Sequence, residues 1–111
     1  MKYKIYLARL SDGTFRLARG EDLNPFDVEG CAVVRLACVN GEEFNGSWAI
    51  IDIASGLNIL RGGNSKKKLL EHWEEIKVDR NLPNRIIECR KALMYKERCK
   101  EMQEARSKNG L

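Results

Sequence analysis

The sequence predicts an α+β fold: an antiparallel sheet of about five strands, built from two hairpins and an inner strand, packed by one helix and followed by a long C-terminal helix. Three observations carry this reading. Apolar residues alternate with period two in "MKYKIYLARL" and again in "SWAIIDIASGLNIL". A stripe of period 3.6 runs through "SKKKLLEHWEEIKV". From Pro83 to about Lys108 neither glycine nor proline interrupts a second helical stretch. At 111 residues, 43% hydrophobic and 32% charged, the chain suits one domain with a single core.

The first hairpin is "MKYKIYLARL SDG TFRLARG", with Gly13 supplying the positive φ that a three-residue loop requires. Pairing Leu10 with Thr14 puts Tyr3, Ile5, Leu7, Phe15 and Leu17 on one apolar face and Lys2, Lys4, Tyr6 and Arg16 on the other. "EDLNPFDVEG" carries four acids and a proline and reads as a loop or short helical turn ending at Gly30. "CAVVRLACV" is apolar on both sides and reads as an inner strand, with Arg35 the odd member. "NGEEFNG" is a turn region. In the second hairpin Ala49, Ile51, Ile53, Leu57 and Ile59 share one face, and Trp48, Ile50, Asp52, Asn58 and Leu60 the reverse. An ion pair between Arg35 and Asp52 is the expected way to satisfy both on that second face.

Leu69, Leu70, Trp73 and Ile76 form the stripe of the first helix, with Asn64 or Ser65 as its cap. Pro83 in "DRNLPN" breaks it. The C-terminal helix then runs about 26 residues, roughly 39 Å at 1.5 Å per residue, and Gly110 is its expected terminator. A body of residues 1–80 has a radius of gyration of only about 12 Å, so part of a tail comprising residues 81–111 should project. Ile86, Cys89 and Leu93 let its first half dock, whereas "KERCKEMQEARSK" is too polar to be held. The first half is also the expected cover for Trp48, Ile50 and Leu60.

Charge is unevenly divided. Residues 79–111 hold nine of the 20 Lys+Arg and five of the 16 Asp+Glu, leaving eleven of each sign in residues 1–78. The net +4 therefore belongs to the tail, which argues against a body that binds phosphate generically. Cys31, Cys38, Cys89 and Cys99 lack the close spacing of zinc sites and read as reduced thiols, with Cys99 the expected exposed one. Nothing resembles an export signal or a membrane span, so the expected location is cytoplasmic.

Catalysis, a metal and a cofactor are not expected. His72 is the only histidine, and the adjacent acids Glu42/Glu43 and Glu74/Glu75 point apart on their elements. Two surfaces remain. Arg61 and Lys66 meet at the glycine-rich entry "RGGNSKKK" to a helix N-terminus, an anion-friendly place that lacks the Walker spacing. Lys2, Lys4, Tyr6 and Arg16 combine cations with an aromatic as single-strand binding platforms do.

In its size, cysteine usage, small sheet and charged helical end, the chain resembles accessory proteins of phages and other bacterial mobile elements. "SWAIIDIASGLNILRGGNSKKKLLEHWEEI" looks like the strand, hairpin and helix unit such proteins often carry. That resemblance implies a binding protein, such as an anti-CRISPR inhibitor of a host defence complex, and assigns no residues. The first functional expectation is accordingly a non-enzymatic inhibitor or adaptor that contacts a protein or nucleoprotein through Tyr95, Arg98, Lys100 and Met102 of the tail and Asp22 and Asp27 of the acidic loop. The second is direct nucleic-acid binding through the basic positions. A homodimer through paired tails, burying Tyr95, Cys99 and Met102, is a further expected partner.

Overall fold

The computed structural model describes residues 4–22, 29–37 and 46–111, with backbone alone for Glu21 and Asp22. The strands are β1 (Lys4–Arg9), β2 (Phe15–Asp22), β3 (Cys31–Leu36), β4 (Trp48–Asp52) and β5 (Asn58–Arg61). They pair in sequence order as one antiparallel sheet, and three helices follow: α1 (Lys66–Asp79), α2 (Leu82–Cys89) and α3 (Leu93–Lys108). This is the expected α+β arrangement with five strands. The central part of the acidic loop, with Asp27, lies outside the described residues, as do Lys2, Tyr3, Cys38 and most of "NGEEFNG".

The first hairpin takes the expected register. Leu10 N–H donates to the Thr14 carbonyl at 2.8 Å, Arg9 faces Phe15, and Gly13 sits at φ +86°. Both sides of the sheet are nevertheless covered, which changes the reading of its faces. Tyr6, Ala8, Ala18, Ala32, Val34, Leu36, Ala49 and Ile51 form a core drawn entirely from strands. The sheet curls onto that side: Arg9 N–H donates to the Gly56 carbonyl at 2.9 Å, bringing the β4–β5 turn against β1. Four alanines on the concave side leave room for the curl. Tyr6 is therefore 6% exposed and faces inward, not outward with Lys4 and Arg16 as the alternation suggested.

On the other side Cys31, Val33 and Ile50 meet Leu69 and Trp73 of α1 and Ile86 of α2, with Trp48 and Leu60 packed around them. Ser65 caps α1, its Oγ accepting from Lys68 N–H at 3.2 Å. The cover expected from the tail thus comes mainly from α1, with Ile86 and Leu82 adding to it. In the second hairpin Ile50 faces Leu60 but Ile51 faces Asn58, a bulge that inserts one residue. Ile59 consequently joins the Trp48 and Ile50 side instead of following Ile51.

The C-terminal stretch is two helices, not one. It breaks at Arg90–Ala92, where Ala92 has φ −73° and ψ 147°, although no glycine or proline lies there. α3 then folds back and does not project. Met102 is 0% exposed and its methyl abuts Gly56, Arg9 pairs with Glu101 at 2.7 Å, and Arg106 Nη2 donates to the Ile53 carbonyl at 2.9 Å. The boundary expected between a body and a tail is thus crossed by packing and ion pairs. Gly110, at φ +70°, follows the end of α3 as the sequence predicts.

Candidate functional site

Asp52 ends β4 with its side chain 6% exposed, and five donor contacts converge on it. Arg90 gives Nε and Nη2 to Oδ1 at 3.0 and 2.8 Å. Oδ2 accepts from Ser55 Oγ at 2.6 Å, Ser55 N–H at 3.1 Å and Tyr95 Oη at 2.8 Å. The carboxylate is thereby satisfied as a buried charge must be. Burial, then the bond to Asp52 and its charge, push the Tyr95 phenol well above its usual range. For Arg90, burial acts downward but the Asp52 bond and charge outweigh it, so its pKa rises. Burial also raises the Cys31 thiol, against the opposing Arg90 charge.

This cluster corrects the expected Arg35–Asp52 pair. Asp52 stands opposite Cys31, whereas Arg35 stands opposite Trp48, about 13 Å further along the strand at 3.3 Å per residue. Arg35 instead donates Nε to the Gly46 carbonyl at 3.1 Å and lies 5.7 Å from the Trp48 ring.

Beside the cluster, between β5 and α2, opens a cavity of about 290 Å³. Leu57, Asn58 and Ile59 form one wall and Leu82, Ile86 and Cys89 another, with Arg85 at the helix side and Asp52, Arg90 and Tyr95 completing the lining. The α2 residues recur at i, i+3, i+4 and i+7, one face of a helix. That spacing was the signal available in the sequence. It was masked by reading the stretch as the start of one long helix with Leu93 on the same stripe.

The break rotates Leu93 outward. Leu93 is 73% exposed, its neighbour Met94 62% and Ile87 of α2 43%, so the α2–α3 corner carries a group of bare apolar side chains. The residues expected to contact a partner lie elsewhere. Tyr95 and Met102 are turned inward, Arg98 is paired with Glu101 at 3.1 Å, and Lys100 is exposed. Asp22 ends β2 opposite Ala32. With Tyr95 and Met102 used within the chain and Cys99 half-buried, the apolar seam expected for a homodimer through α3 is not on the surface. Among the described residues the exposed thiol is Cys89.

The basic positions are also rearranged. Lys66 lies 5.9 Å from the Trp48 ring, and its groove is lined by Glu71 and Glu74 besides Lys67 and Leu70. Arg61 stands exposed at the end of β5, while Lys4, Tyr6 and Arg16 are divided between surface and core. The register aligns a different row across the outer side of the sheet, in which Arg19 faces Arg35 and Arg35 faces Trp48.

Compared with protein-family models, curated proteins and solved structures, the chain matches none.

Proposed function

We propose that this is a non-enzymatic binding protein that works through protein contacts made by the α2–α3 corner. The observation that carries this is the exposure of Ile87, Leu93 and Met94 within eight positions of chain, since large apolar side chains left in solvent close together are what a contact site presents. The role implied by the resemblance to mobile-element proteins, an inhibitor or adaptor of a host nucleoprotein complex of anti-CRISPR type, fits such a surface. A cytoplasmic setting fits the free thiols of Cys31, Cys89 and Cys99.

Affinity capture from a nuclease-treated cell extract tests the reading, with wild type set against Leu93→Ser/Met94→Ser. A stoichiometric protein partner held by wild type and lost by the variant is expected, with the melting temperature unchanged because both side chains are already in solvent. Identical captured sets would reject the corner as the contact surface.

Direct nucleic-acid binding is a second reading, favoured by the row Arg19, Arg35 and Trp48 with Lys66 over the same ring. Its signature is anisotropy of labelled single strands, duplex or RNA that falls steeply with salt and is reduced by Arg19→Ala. No binding at low salt would eliminate it.

A further inference from the structure

We propose that the cavity between β5 and α2 binds a small amphipathic carboxylate, its aliphatic body between Leu57, Ile59, Leu82 and Ile86 and its head on Arg85. The volume of about 290 Å³ lies at the lower end of the range of ligand pockets, about 300–1,000 Å³, and such sites combine apolar walls with few polar groups. The ligand is therefore small. Leu57, Ile59, Leu82 and Ile86 give the cavity aliphatic walls, with Asn58, Cys89 and Tyr95 beside them, which suits a short or branched alkyl chain.

The charges select the head group. Asp52 accepts from Arg90, Ser55 and Tyr95 together, so its carboxylate is already committed. Arg85 makes no side-chain hydrogen bond or ion pair with any described residue. Two cations against one carboxylate leave the lining with a single positive charge in excess. One uncommitted guanidinium matches a monoanion that accepts a bidentate bond. A phosphate dianion would exceed that single positive charge and leave the site net negative.

An independent feature points to the same place. Ile59 is itself the residue inserted at the β4–β5 bulge, and its side chain lines the cavity instead of following Ile51 into the inner core. Bulges recur beside binding sites because they re-aim a side chain without breaking the strand. An open apolar hollow forfeits packing contacts that a filled one would make, and an occupant restores them.

The test is a ¹⁵N-edited NMR titration of the whole chain with octanoate, below its micelle-forming concentration, alongside 1-octanol. Saturable shifts confined to residues 57–59, 82–90 and 95 are expected. Arg85→Gln, a surface change that leaves the fold intact, should weaken octanoate at least about tenfold, the range of a hydrogen bond to a charged group, and leave 1-octanol unchanged. Ile59→Phe, which fills the cavity, should weaken both. Absence of saturable shifts would overturn the site, and equal octanoate affinity in wild type and Arg85→Gln would overturn the carboxylate assignment.

Discussion

Asp52 is the residue whose loss the molecule should tolerate least. It holds Arg90, Ser55 and Tyr95 in one buried cluster, and removing one partner of a buried pair leaves the other charge desolvated, at about 3–5 kcal/mol. Asp52→Ala should therefore lower unfolding stability in urea by about that amount, and a loss under 1 kcal/mol would show the cluster to be surface-like. Tyr95 adds a pH dependence. Its phenol is raised by burial and by Asp52, so the folded chain keeps this proton to higher pH than the unfolded chain, where it titrates near 10. The stabilisation is complete below pH 10 and is lost as pH climbs toward the folded value. Urea midpoints between pH 9 and 11 should fall more steeply in wild type than in Tyr95→Phe, and parallel curves would refute the coupling.

At the scale of elements, the α2–α3 corner is made by tertiary bonds. Five residues along an α-helix turn the chain about 140° past one full revolution, so Arg90 and Tyr95 could not meet on one carboxylate if the helix ran on. The corner also places Ala92 in extended backbone with Leu93 as the first helical residue. Proline is suited to that first position, and its predecessor must be extended. Leu93→Pro should thus be neutral or stabilising by up to about 1 kcal/mol, whereas in an unbroken helix it would cost about 3 kcal/mol or more. Chemical denaturation separates the two outcomes. The same contrast explains what could be read in advance. The two hairpins and the inner strand, the Leu10–Thr14 register, a cap at Asn64 or Ser65 and the Leu69/Trp73 stripe follow from local periodicity and turn chemistry, and all were legible. The corner, the Ile59 bulge and the inward turn of Tyr6 arise from contacts distant in sequence. Arg90, 38 positions from Asp52, looks like any other cation of a basic segment, so Arg35 on the neighbouring strand was the local candidate for that partner. The cavity stayed hidden with it, because it exists only once α2 stops and α3 turns back.

For the whole molecule, the question is whether α3 is an appendage or part of the core. A polar helix carrying much of the chain's positive charge invites the first answer, and on sequence alone removal of residues 96–111 should leave the melting temperature nearly unchanged. The packing argues the reverse. Met102 is fully buried against the glycine that closes the curled sheet onto β1, and Glu101 neutralises Arg9, itself a buried residue stacked 4.7 Å from Phe15. Met102→Ala alone should cost about 2–5 kcal/mol. Truncation removes that contact together with the Glu101 carboxylate and Arg98 carbonyl that Arg9 bonds and the Arg106 bond to the Ile53 carbonyl, so the buried Arg9 guanidinium loses its partners. Set against a total of about 5–15 kcal/mol for a domain, both together should leave the shortened chain largely unfolded, with near-ultraviolet dichroism lost and no cooperative urea transition. A truncated chain that kept the wild-type midpoint would return α3 to the role of an appendage. Under the packing seen here, binding lost on truncation would report unfolding, so the contact surface is better probed by the exposed pair Leu93 and Met94, whose replacement leaves α3 in place.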